Sequence, residues 1–124
     1  MTDNTPYRSV PMKPDDAFKA ISNSRRRTVI LSLARSDDVV DASDLAVEIA
    51  AIENLIDPSE VTSEQRTRVY VSLIQSHLET LDTVGAASYD DRSKQVAPTE
   101  ATAPLAEHIR QISTACYKHG EEAE

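Results

Sequence analysis

Apolar residues return at helical spacing in four stretches of the chain. Val29, Ile30, Leu33 and Ala34 form the first; Leu45, Ala46, Ile49 and Ala50, with Ile52 or Glu53 beyond, form the second. The third is the longest. Tyr70, Leu73, Ile74, His77, Leu78, Leu81 and Val84 converge on one face at about 100° per residue. Leu105, Ile109, Ile112 and Cys116, spaced four, three and four apart, make the last, an apolar seam of about three turns. Each stretch predicts a helix with one buried face.

Local signals bound these helices. Asn23 or Ser24 suits the start of the first, which the pattern carries to about Ala34, and Ser43 suits the start of the second. "TSEQ", residues 62 to 65, reads as a capping box opening the long helix, which Gly85 ends. Asp15 and Asp16 suit the first turn of a short helix reaching Ile21. Val39 and Val40 predict a very short strand, and "LIDPSEV" a loop broken by Asp57 and Pro58. "AASYDDRSKQVAPT" predicts two short strands around a polar turn at Asp90 to Ser93.

The expected organisation is a flexible arm over 1–14, marked by Pro6, Pro11 and Pro14, and one domain over 15–97. A C-terminal helix over 98–119 and a frayed tail over 120–124 follow. The order of elements predicts a mostly α fold with a small β-hairpin, an α+β class. Specifically, it predicts a winged helix-turn-helix plus a C-terminal helix.

Composition changes this picture in two ways. With no Trp and one Phe in 124 residues, the core has to be aliphatic. Thirteen basic against 21 acidic side chains give a net charge of -8. A sequence pI near 4.8 argues against a phosphate-binding surface. Nine arginines against four lysines, with abundant carboxylates, match instead the surface of proteins from a high-salt cytoplasm. The charge is uneven: residues 1–36 carry seven bases and three acids, residues 37–64 no base and nine acids. Arg25, Arg26 and Arg27 stand together in the first turn of a helix, where the helix dipole disfavours cations. They are expected to face something negative: phosphate for Arg25 or Arg26, and the acids of 37–64 for at least one of the three. A single cysteine, no signal-like N-terminus and no bilayer-length apolar run predict a soluble, cytoplasmic protein.

Several stretches also carry a resemblance. "LETLDTVGAASYD" resembles the end of the recognition helix and the first wing strand of ArsR-like winged-helix regulators, through His77, Leu78, Leu81 and Gly85. "ISNSRRRTVILSL", "DLAVEIAAIEN", "VTSEQRTRVYVSLIQSHLETLD" and "SYD" resemble an uncharacterised haloarchaeal winged-helix domain family over roughly residues 18 to 97. Glu79 stands where that family often has Pro, and Ala86-Ala87 replaces bulkier wing residues. The resemblance implies a DNA-binding fold.

On that basis double-stranded DNA is the expected partner. Arg68, Ser72, Gln75 and Ser76 are expected to meet base edges, and Arg25, Arg26, Arg27, Arg66, Arg92 and Lys94 to meet phosphates. Leu105, Ile109, Ile112 and Cys116 either cover the core of the preceding domain or, the favoured reading, form a homodimer interface that would set two recognition helices about 34 Å apart. Two alternatives stand beside this. The acidic 37–64 segment suits a winged-helix module that binds a protein partner. Cys116 and His119, with His108 nearby, form a weaker candidate for a metal or ligand sensor, having too few ligands and no clustered thiolates. No cofactor is implied. No nucleophile–base constellation or Gly-rich phosphate loop exists, so catalysis is not expected.

Overall fold

The computed structural model describes residues 8–117. It is mostly helical with a small three-stranded antiparallel sheet, an α+β fold. In chain order come α1 (Pro14–Ile21), α2 (Ser24–Ser36), β1 (Val40–Asp41) and α3 (Ala42–Asn54). A 3₁₀ turn (Pro58–Glu60) leads to α4 (Ser63–Ser72), a π turn (Leu73–His77) and α5 (Leu78–Val84). Strands β2 (Ala87–Asp90) and β3 (Gln95–Pro98) and helix α6 (Thr102–Ala115) complete it. Among the described residues no helix is long and apolar enough to cross a membrane.

The hairpin gains a third strand. Val40 pairs with Val96 and Asp41 with Gln95, so β3 lies between β1 and β2. This pairing also moves the start of α3. Its first amide, that of Ala42, donates to the carbonyl of Lys94 at 2.9 Å, and Asp41 holds the cap position without a side-chain bond. Ser43 is therefore inside the helix, not its cap, because the sheet already satisfies the helix end.

The core is aliphatic. Val29, Ile30, Leu33, Leu45, Ile49, Leu73, Leu78, Leu81, Val96 and Leu105 are the large side chains at its centre. Full burial of each such side chain contributes roughly 1.5–3 kcal/mol. Val10 and Met12 also pack against this core, so the part of the expected arm beyond Arg8 is docked.

Two helix ends solve one geometric problem with different residues. After α5, Gly85 takes φ +85°, and the Ala86 amide reaches back to the Leu81 carbonyl at 2.9 Å. After α3, Leu55 takes φ +56°, and the Ile56 amide reaches the Ala51 carbonyl at 3.1 Å. Both are left-handed terminations, a conformation glycine adopts without steric cost. Leucine incurs that cost, and its side chain is 91% exposed.

The C-terminal helix is part of this domain. Leu105 and Ile109 are buried in its core, and the buried Thr102 hydroxyl donates to the Ala86 carbonyl at 2.8 Å. The expected seam therefore divides: Leu105 and Ile109 lie inside the core and are not a dimer face, while Ile112 (52% exposed) and Cys116 are on the surface. The helix ends at Ala115, short of the anticipated His119, because the core it covers stops at Ile109. His119 and the 120–124 tail lie outside the described residues.

Candidate nucleic-acid interface

Helix α4 opens with the anticipated capping box. The Gln65 amide donates to Thr62 Oγ1 at 3.1 Å, and the Thr62 amide donates to Gln65 Oε1 at 2.9 Å. Val69 and Leu73 then face inward, leaving Glu64, Thr67, Arg68, Val71, Gln75 and Ser76 exposed. Arg68 lies 3.7 Å from Glu64, with 69% and 83% of the side chains exposed, so the pair restrains the guanidinium little. Arg66 is half-buried.

Ser72 is not on this outer face. Its hydroxyl accepts from Arg25 Nη1 at 2.7 Å and donates to the Val69 carbonyl at 3.2 Å. A base contact by Ser72 is thereby replaced by an internal one. The expected helical phase is interrupted just beyond it, where residues 73–77 widen into a π turn and the Leu78 amide bonds the Leu73 carbonyl. Leu73 and Leu78, at either end of that bond, are both buried.

The three arginines turn toward the protein. Arg25 grips Glu53 with two hydrogen bonds, Nε at 2.7 Å and Nη2 at 2.8 Å, in addition to Ser72. This bond to Glu53 raises the Arg25 pKa beyond its ordinary value. Arg26 donates to the Lys19 carbonyl at 2.7 Å, the Ala20 carbonyl at 3.3 Å, Ser22 Oγ at 3.1 Å and His77 Nδ1 at 3.1 Å. Arg27 donates to the Ile21 carbonyl at 2.8 Å. Arg26 and Arg27 thus cap the carbonyl end of α1, which carries negative partial charge. The expectation that one of the three meets the acids of 37–64 matches the Arg25–Glu53 pair. Arg25 and Arg26 direct most of their donors to partners within the fold, whereas half-buried Arg27 directs one, Nη1, to the Ile21 carbonyl.

His77, expected on an apolar face, is half-buried beside Arg26. Burial lowers its pKa below the ordinary histidine value, Arg26 and Arg25 lower it further, and Glu53 acts in the opposite sense.

At the hairpin tip, Arg92 is exposed and its backbone amide donates to Asp90 Oδ1 at 3.2 Å. The turn runs from Asp91 to Lys94, one residue later than expected, because Lys94 closes it at φ +59° with its amide on the Asp90 carbonyl. Lys94 Nζ lies 2.8 Å from Asp91, which holds that carboxyl below its usual range. Between α5 and β2 lies a cleft of about 380 Å³ lined by Ile74, Glu79, Asp82, Tyr89 and Asp91. Three carboxylates therefore flank the wing, which the sequence pattern did not reveal.

His108 Nε2 sits 2.6 Å from the Arg8 carbonyl, away from the exposed Cys116 end of α6. Among the described residues no group of three or more His, Cys, Asp or Glu side chains could hold a metal ion.

Comparison with curated proteins and with solved structures gives no significant match. A family model does match, over residues 18–97, from α1 to the end of β3. The chain belongs to the family DUF7344, described as a domain of unknown function.

Proposed function

We propose that this chain is a winged-helix DNA-binding regulator whose recognition helix is α4 with the π turn that follows it. The observation that carries this reading is architectural. Helix α2, strand β1, helices α3 and α4 and the β2–β3 hairpin follow one another with strand order β1-β3-β2. That arrangement leaves the outer face of a capped helix uncovered beside a hairpin, as groove recognition requires. Arg68, Gln75 and Ser76 are then the base-reading side chains, and Arg66, Arg92 and Lys94 the phosphate contacts. A homodimer would join through the exposed end of α6 at Ile112 and Cys116.

The test is genome-wide enrichment of DNA with the tagged protein at native ionic strength, because counterion-release binding weakens steeply with salt. Reproducible peaks that Arg68→Ala abolishes support the reading; no peaks, with no effect of Arg68→Ala, refute it.

A second reading has its own observation in favour. Arg68 stands near Glu64, Lys94 bonds Asp91, and the helix–wing cleft is lined by Glu79, Asp82 and Asp91. Acids bordering the basic groups suit a protein partner better than a polyanion. Charge-reversal of exposed Glu79 separates the two: it strengthens DNA binding on the first reading and weakens partner capture on the second.

A further inference from the structure

We propose that Arg25 and Arg26 are positioning residues that clamp the π turn at its two ends, and that proton uptake by His77 opens one of them. Ser72 immediately precedes the turn and takes Arg25 Nη1 at 2.7 Å. His77 closes the turn and takes Arg26 Nη1 at 3.1 Å. Neither guanidinium is loose. Arg25 is fixed to Glu53 of α3, and Arg26 to the Lys19 and Ala20 carbonyls of α1. The two ends of the turn are therefore tied, through adjacent residues of α2, to two different helices. A π turn is a poor local arrangement that persists where its surroundings hold it.

The chemistry of the second point makes it sensitive to protons. Guanidinium has only donors, so His77 Nδ1 must present a lone pair, and the ring is neutral with its hydrogen on Nε2. A second proton turns Nδ1 into a donor aimed at a donor and sets imidazolium against guanidinium. The charged groups facing His77 are Arg26 and Arg25 from α2, which oppose that proton, and Glu53 from α3, which favours it. From α1, Lys19 contributes its backbone carbonyl to the same guanidinium. Burial and the two arginines together keep the ring neutral and the clamp closed near neutral pH.

Opening the His77 end frees the Leu78–Leu73 bond and loosens residues 73–77, while Leu78 and Leu81 stay anchored in the core. If α4 reads DNA, Gln75 and Ser76 lose their fixed aim by the same event. That consequence rests on the function proposed above; the clamp does not.

The experiment uses the full chain without DNA, so its failure is distinct from failure of the DNA-binding reading. NMR follows the His77 ring and the exchange of the Leu78 amide from about pH 7.5 to about pH 5. His77 should titrate below its ordinary value of 6.5. Leu78 protection, corrected for intrinsic exchange, should fall about tenfold through that titration. His77→Asn keeps an acceptor without a titrating ring and should hold its protection throughout. Arg26→Gln should raise the His77 pKa, a reading of the coupling that stands even where His77→Asn fails to fold. An unshifted His77 pKa in Arg26→Gln overturns the proposal, as does the same Leu78 exchange profile in the wild type and His77→Asn.

Discussion

Replacing Arg25 by alanine separates a structural arginine from a phosphate-binding one. The substitution removes three hydrogen bonds made by one charged group, two to Glu53 and one to Ser72. Breaking a fully buried ion pair costs about 3–5 kcal/mol, and an exposed one about 0.2–1 kcal/mol. Here the side chains of Arg25 and Glu53 are 24% and 34% exposed, so Glu53 regains water when its partner leaves. Ser72 keeps its bond to the Val69 carbonyl. The expected loss is therefore intermediate, about 1–2 kcal/mol, or roughly 4–8 °C in Tm. Urea denaturation at one low, fixed ionic strength is the assay, run on Arg25→Ala, Glu53→Ala and the double variant, since added salt, guanidinium chloride included, would screen the pair. The cycle should return a coupling of about 1 kcal/mol. A loss below about 0.5 kcal/mol with no coupling would refute the reasoning and return Arg25 to the candidates for ligand contact.

Three further outcomes follow from particular residues. Leu55→Gly should stabilise the fold by up to about 1 kcal/mol, seen as a raised urea midpoint, because glycine adopts the φ +56° backbone without steric cost and no buried side chain is lost. Thr102→Val should destabilise by about 1–3 kcal/mol in the same assay, leaving the Ala86 carbonyl and the Thr99 amide without their shared partner. Because His77 has a lowered pKa in the fold, the unfolded chain binds its proton first as pH drops below 6.5. The stability it contributes is complete above that value and declines below it; a thermal-melting series should show this slope, and His77→Asn should remove it.

Wherever one short stretch of chain carried all the information, the fold was legible. The Thr62–Gln65 box, the stop at Gly85 and the two hairpin strands depend on neighbours within a few residues. So did the inward positions Val29, Ile30, Leu33, Leu45 and Leu81. What escaped depends on partners distant in sequence. Arg25 meets Glu53 28 residues away and Arg26 meets His77 51 residues away, and no local pattern distinguishes those contacts from solvent or phosphate. Ser72 left the candidate face for the same reason. The seam of α6 reads as one continuous stripe, yet only a core of finite extent decides that Ile109 is inside and Ile112 outside. The start of α3 was misplaced because its first amide is satisfied by Lys94, more than fifty residues further along.

Helix α1 has a consequence for how fragments of this family are prepared. Its terminal carbonyls absorb donors from Arg26 and Arg27. A fragment beginning after Ser22 would lose those acceptors, leaving Arg26 with His77 alone and Arg27 uncovered on an otherwise acidic body. Such a fragment would gain affinity for any polyanion, heparin and plasmid alike, without having acquired a recognition surface. Retention on a phosphate resin would then report a missing helix rather than a binding function.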